Sequence, residues 1–271
     1  MNHLSERYGK WCLVAGAAEG IGEAYARAVA EEGLGVILVD QNRLVMEKLA
    51  LEIEGHYGVP TRTVHLDLAF DEAIPVIKEE LEKTSCRLII YNAAYSRVQP
   101  FMKNSTLDLA RYLKVNMQKP LQLIHAFCDL HQGRRDEAKG IILMSSLAGS
   151  WGTKLLSVYG ATKAFNHILA ESLYHELKED GFEVLACIAG ATATPGYLAS
   201  NPGGGRIGIR AMGPEKVARA GLERLGKAPY VVAGMNNRLN YFFLTRIFSR
   251  RTALGIMNRA VGKIYREKLI S

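Results

Sequence analysis

Three glycines fall within seven residues in Gly16-Ala17-Ala18-Glu19-Gly20-Ile21-Gly22. The run before them, Trp11-Cys12-Leu13-Val14-Ala15, has the length and apolar character of a buried strand. The segment after them, residues 23–32, reads as a helix closed by Gly33. Strand, glycine turn, helix is the context in which backbone can approach a pyrophosphate and helix N-terminal amides can face its charge. Gly16 and Gly20 would permit the tight turn and the close approach, and Gly22 would let the helix pack tightly on the sheet. Ala18, Glu19 and Ile21 lie between them and are candidate dinucleotide contacts. An ordinary strand-to-helix turn would also use these glycines, so the rest of the chain decides.

Apolar runs recur at 12–15, 36–39, 63–66, 88–91, 141–144, 184–188 and 230–233, with helical patterns between most of them. That alternation predicts an α/β fold with a parallel sheet covered by helices on both faces. The second run ends at Asp40, 18 residues after Gly22, near the spacing of an acidic ribose ligand. A carboxylate there accepts hydrogen bonds from ribose hydroxyls and repels a 2′-phosphate. Glu19 adds a second negative charge. The expectation is NAD(H) in preference to NADP(H), with Arg43 as the residue that would oppose it. Asp40 could equally be a helix N-cap.

Tyr159 and Lys163 stand four apart, hence on one face of a helix. A phenol ionises near pH ~10, and a neighbouring ammonium is expected to pull that value toward neutrality. Such a tyrosine can exchange a proton with an alcohol or carbonyl. Ser145-Ser146 ends the fifth apolar run just upstream.

Together these motifs resemble the classical short-chain dehydrogenase/reductase family over about residues 9–235. The family's Thr-Gly-x-x-x-Gly-x-Gly matches Gly16 to Gly22, with Ala15 for the threonine. Its Asn-Asn-Ala-Gly appears as Tyr91-Asn92-Ala93-Ala94, and its later Pro-Gly-x-x-x-Thr as Ala189-Gly190-Ala191-Thr192-Ala193-Thr194. The resemblance implies a doubly wound Rossmann fold with a seven-stranded parallel sheet in the order 3-2-1-4-5-6-7. It implies an oxidoreductase that moves a hydride between a nicotinamide cofactor and a secondary alcohol or ketone. Tyr159 would be the general acid or base, and Lys163 would lower its pKa and bind the nicotinamide ribose. Ser146 would hold the substrate oxygen, and Asn116 a water linking Lys163 to solvent. Asp67 and Leu68 would sit near the adenine, Asn92 and Ala93 would line the cofactor, and Thr192 and Thr194 would lie by the nicotinamide or pyrophosphate. The glycine-rich segment 195–213 would close over substrate. Bland readings exist: Ser146 as a turn cap, Asn116 as a helix interruption, Asp67 as an N-cap. The alternatives are a cofactor-binding scaffold or sensor without turnover, which would not need this proton machinery, and a peripheral membrane protein that carries such a domain.

The 271 residues suffice for one large domain. Cys12, Cys86, Cys128 and Cys187 are scattered, without metal or disulfide spacing, and residues 1–10 carry no apolar signal region. A cytoplasmic protein with no metal site is expected. The net charge of +7 lies in residues 236–271, which hold eight Lys or Arg and one acid, while residues 1–235 balance to zero. That distribution argues against a nucleic-acid partner. We divide the chain into a catalytic body, 1–235, and a basic amphipathic helical extension, 236–271, that is no independent domain. The extension's Leu254, Met257, Val261, Ile264 and Tyr265 share one helical face. Its cover is expected to be the body, a second subunit in a homodimer or homotetramer, an apolar substrate, or a peripheral membrane contact.

Overall fold

The computed structural model describes residues 3–200 and 211–265. Seven strands form one parallel sheet: β1 (Trp11–Ala15), β2 (Gly35–Asp40), β3 (Thr61–His65), β4 (Leu88–Tyr91), β5 (Lys139–Ser146), β6 (Phe182–Ala189) and β7 (Tyr230–Val232). Their order is β3-β2-β1-β4-β5-β6-β7, as the resemblance implies. The helices are α1 (His3–Tyr8), α2 (Gly20–Glu31), α3 (Arg43–Tyr57), α4 (Ala73–Thr84), α5 (Thr106–Leu113), α6 (Lys119–Leu130), α7 (Ser157–Glu176), α8 (Pro195–Ala199), α9 (Pro214–Arg224), α10 (Met235–Phe242) and α11 (Arg250–Ile264).

The central strands read as unbroken apolar runs because both faces are covered. Cys12 and Val14 of β1 point into one core with Tyr25 and Val29 of α2, Leu49 of α3 and Val217 of α9. Leu13 and Ala15, one residue out of phase, enter the opposite core with Ile77 of α4, Leu123 and Phe127 of α6 and Ala170 of α7. The runs predicted at 63–66 and 141–144 differ from β3 and β5 only in their ends. The pattern detects the buried middle of a strand, whereas ladder hydrogen bonds extend past it.

Candidate functional site

The strands' carboxyl ends lie together along one edge of the sheet, where a doubly wound fold holds its ligand. The first turn there is built by its glycines. Gly16 and Gly20 have φ of +78° and +63°, a region that favours glycine. A Cβ on Gly16 would lie 2.6 Å from the Ala93 Cα, and one on Gly22 only 1.8 Å from the Gly16 carbonyl oxygen. A Cβ on Gly20 would meet the Thr194 methyl at 2.8 Å. The Asn92 side-chain amide donates to the Gly16 carbonyl at 2.8 Å, and the Ala93 N–H to Ala15. Thus Gly16, Gly20, Gly22, Asn92, Ala93 and Thr194 converge. The helix begins at Gly20, three residues earlier than its apolar pattern suggests, because the glycines themselves form its first turn. No side chain caps that terminus at Glu19, which is exposed. The uncapped amides and the open glycine cradle fit a phosphate-bearing ligand.

Asp40 ends β2 but is not the N-cap of α3; Asn42 is, accepting from the Val45 N–H. The Asp40 carboxylate instead accepts from the Ala18 N–H at 3.0 Å and the Asn42 N–H at 2.9 Å. It ties the glycine turn to the second strand. Ala18 is buried, and Ile21 packs against the core behind it. Arg43 pairs with Glu47 at 2.7 Å. Asp67 caps its own turn at the Ala69 N–H and pairs with Arg111 at 2.7 Å. It is not the N-cap of α4, which Glu72 occupies. Leu68 is buried in the core. A cavity of about 300 Å³ borders this turn on its outer side, lined in part by Gly20, Arg27, Pro195 and Arg219. Neither Ser146 nor Tyr159 lines it, so it is not where those residues act.

Ser146 ends β5, and its hydroxyl accepts from the Ala148 N–H at 3.2 Å, so it does cap the turn. Tyr159 stands half-buried in the first turn of α7, with Lys163 buried one turn on. The Lys163 ammonium lies 5.7 Å from the Tyr159 ring centre and donates to the Met144 carbonyl at 2.9 Å. This corrects one expectation. The Tyr159 phenol is not drawn toward neutrality but pushed up to about 12 by burial; Ser146 draws it back in part, while the neighbouring phenols Tyr112 and Tyr265 raise it further. Lys163 is pushed down to about 8 by burial. Desolvation disfavours both charged forms, and the ammonium's hydrogen bond goes to a carbonyl. Near neutral pH the pair is a protonated phenol beside a cation.

Asn116 lies in a π-helical turn, Lys114–Gln118, between α5 and α6, closed by the Lys119 N–H on the Lys114 carbonyl. The interruption read from sequence is therefore a wider turn, a feature frequent at functional sites. Its buried carboxamide accepts from the Tyr95 N–H at 2.7 Å and donates to the Tyr95 carbonyl at 2.9 Å and the Thr162 hydroxyl at 3.0 Å. Thr162 in turn donates to the Tyr159 carbonyl at 2.8 Å, and Ser145 to the Lys163 carbonyl at 2.8 Å. The Asn116 carboxamide thus ties α7 to the loop after β4, and Ser145 ties it to β5. Thr192 is buried and paired with Met212 by a parallel bridge, and Thr194 caps α8 through the Tyr197 N–H at 3.2 Å. The proposed closing segment, 195–213, falls largely on 201–210, outside the described residues.

Sequence reasoning missed the turn on which the extension's apolar stripe rests. Leu155 sits in the left-handed region at φ +66°, strain of about 1–3 kcal/mol that its surroundings must hold. Its carbonyl accepts from the Gln99 N–H at 3.1 Å, and its side chain packs on Val261 and Tyr265 of the C-terminal extension. Asn258 of α11 accepts from the Lys154 N–H at 2.9 Å and donates to the Gly152 carbonyl at 3.0 Å. Nothing in the local pattern of residues 151–155 signals these contacts. The extension thereby packs on the turn that leads into α7, and its Tyr265 helps to raise the Tyr159 phenol.

A family model described as short chain dehydrogenase matches residues 10–202. A 7beta-hydroxysteroid dehydrogenase of Clostridium sardiniense is 30% identical over 239 residues, 87% of this chain and 90% of the relative. A solved 7beta-hydroxysteroid dehydrogenase superposes with a TM-score of 0.85 at 27% identity, covering 94% of this chain and 98% of that one. A short-chain dehydrogenase of Sphingobium yanoikuyae in complex with NADPH shares the fold, with a TM-score of 0.74 at 23% identity, covering 86% of this chain and 92% of that one.

Proposed function

The chain belongs to the short-chain dehydrogenase family, and from that premise we propose that it transfers a hydride between a nicotinamide cofactor and a bulky, apolar secondary alcohol or ketone. The observation that carries this reading is the Ser146–Tyr159–Lys163 cluster beside an uncapped glycine cradle. In ketone reduction Tyr159, a protonated phenol at neutral pH, donates its proton to the substrate oxygen, which Ser146 holds in line. Lys163 supplies positive charge behind the phenol. Asn116 acts through position, keeping Thr162 and the first turn of α7 in register. The cofactor supplies the hydride; Gly16, Gly20, Gly22 and the α2 amides would receive its pyrophosphate.

The apolar preference rests on the apolar cluster of Leu155, Val261 and Tyr265 near the start of α7 and on the likeness to hydroxysteroid dehydrogenases. The cofactor preference rests on Asp40 and Glu19. The fold itself does not discriminate, since a neighbour of this fold carries NADPH. We expect NAD(H) to bind more tightly than NADP(H), because the Asp40 and Glu19 carboxylates would repel a 2′-phosphate and Arg43, three residues past β2, pairs with Glu47. Calorimetric titration of both cofactors checks this, and tighter NADPH binding would reverse it. A panel of alcohols and ketones of rising apolar size, followed by the absorbance of reduced nicotinamide, tests the activity. Absence of turnover with every member and both cofactors would favour a binding protein instead.

A further inference from the structure

The extension has two sides with different fates. The α11 face is covered by residues 151–155, as described above. The segment before it is held to the body by Tyr241, whose ring lies 5.8 Å from Trp151 and 6.2 Å from Tyr230. On its other side the apolar residues point outward. Phe242 is 52% exposed, Phe243 47%, Ile247 60% and Phe248 44%. The Phe242 and Phe243 rings meet edge to face at 5.7 Å, and large apolar side chains exposed so close together along one segment are unusual on a surface that meets only water.

Its charge identifies what would cover it. Residues 235–265 contain six Lys or Arg and no acid. Arg246, Arg250 and Arg251 are exposed, and none has an ion pair among the described residues. A second copy docking through the same face would bring these guanidinium groups against their own kind. An anionic bilayer offers the opposite charge at its headgroups and an apolar layer for the rings. No helix among the described residues is long and apolar enough to cross a membrane, so contact would be peripheral. We propose that the outward face built by Phe242, Phe243, Ile247 and Phe248 with Arg246, Arg250 and Arg251 docks on an anionic lipid surface. Because the same extension packs on the turn that leads into α7 and Tyr159, docking would hold the site beside the phase in which apolar ketones dissolve; that clause alone rests on the substrate reading above.

Co-sedimentation of the full chain with vesicles of phosphatidylcholine alone, and of phosphatidylcholine with phosphatidylglycerol, tests the proposal. Binding is expected to the anionic vesicles only and to weaken as salt rises. Replacing the three arginines together (Arg246→Gln, Arg250→Gln, Arg251→Gln) should lower partitioning roughly a hundredfold, at about 1 kcal/mol per basic residue. Phe242→Ser with Phe243→Ser should lower it as well. All these side chains are exposed, so both variants should keep the thermal midpoint of the parent, and the salt titration of the unaltered chain stands independently of them. Equal binding to both vesicles, binding to neither, or binding indifferent to salt and to the variants overturns the proposal. So does a dimer, weighed by light scattering, that the same variants split into monomers, since that gives the face to a second copy. Sedimentation reads no hydride transfer, so an error in the substrate reading would not disturb it.

Discussion

Burial drives Tyr159 and Lys163 from opposite sides toward their neutral forms, the phenol up to about 12 and the ammonium down to about 8. The ketone reduction proposed above draws on a protonated phenol, and Tyr159 stays protonated far into alkali. The first group lost as pH rises is therefore the Lys163 charge. We expect kcat/KM for ketone reduction, which reports the free enzyme, to fall through about pH 8. Lys163→Arg, which stays charged, should move that limb upward. A profile flat well beyond that value would detach Lys163 from the reaction. Tyr159→Phe keeps the ring and removes the proton; turnover should drop ~10²–10⁴-fold while calorimetry still finds cofactor bound. Near-normal turnover in that variant would refute the assignment. At this scale the residue types and spacings of Asn116, Ser146, Tyr159 and Lys163 are legible in the chain, but the direction of the Tyr159 shift is not. It depends on desolvation, on the Tyr112 and Tyr265 phenols brought in from elsewhere in the chain, and on the Lys163 ammonium turning to the Met144 carbonyl of β5.

At the scale of elements, α11 is held by few contacts: Ala253, Val261 and Tyr265 are its buried anchors, with Asn258 stapling it to residues 151–155. Val261→Ala removes two buried methyl groups, about 1–2 kcal/mol of docking. Hydrogen exchange of the α11 amides should quicken accordingly, with sheet amides unchanged. KM should rise for bulky ketones and hold for small ones. An equal rise for both sizes would make α11 a structural prop only. The helical stripe of Leu254, Met257, Val261, Ile264 and Tyr265 is readable from its 3.6-residue period. That its partner is the Leu155 turn is not readable, because a left-handed leucine leaves no mark in the pattern.

For the molecule as a whole, both cores that sandwich the sheet are drawn from residues up to Ala233, whereas the cluster of Leu155, Val261 and Tyr265 stands apart. A 1–235 truncation is accordingly expected to unfold cooperatively in a thermal melt and to bind cofactor in calorimetric titration, yet to lose preference for large substrates. A truncation that aggregates or melts without cooperativity would make the extension part of the core. The sequence by itself determined the alternation of strands and helices, the glycine turn, the spacing of the candidate site residues and the concentration of charge in the extension. Each of these is a matter of neighbours along the chain: period, backbone freedom, composition. Only the tertiary structure decided that Asp40 pins the glycine turn, that the Lys163 ammonium hydrogen-bonds to the Met144 carbonyl, that α11 packs on the Leu155 turn and that the aromatic residues before it face outward. Those outcomes depend on distances between segments remote in sequence, where burial and hydrogen-bond competition are settled by packing.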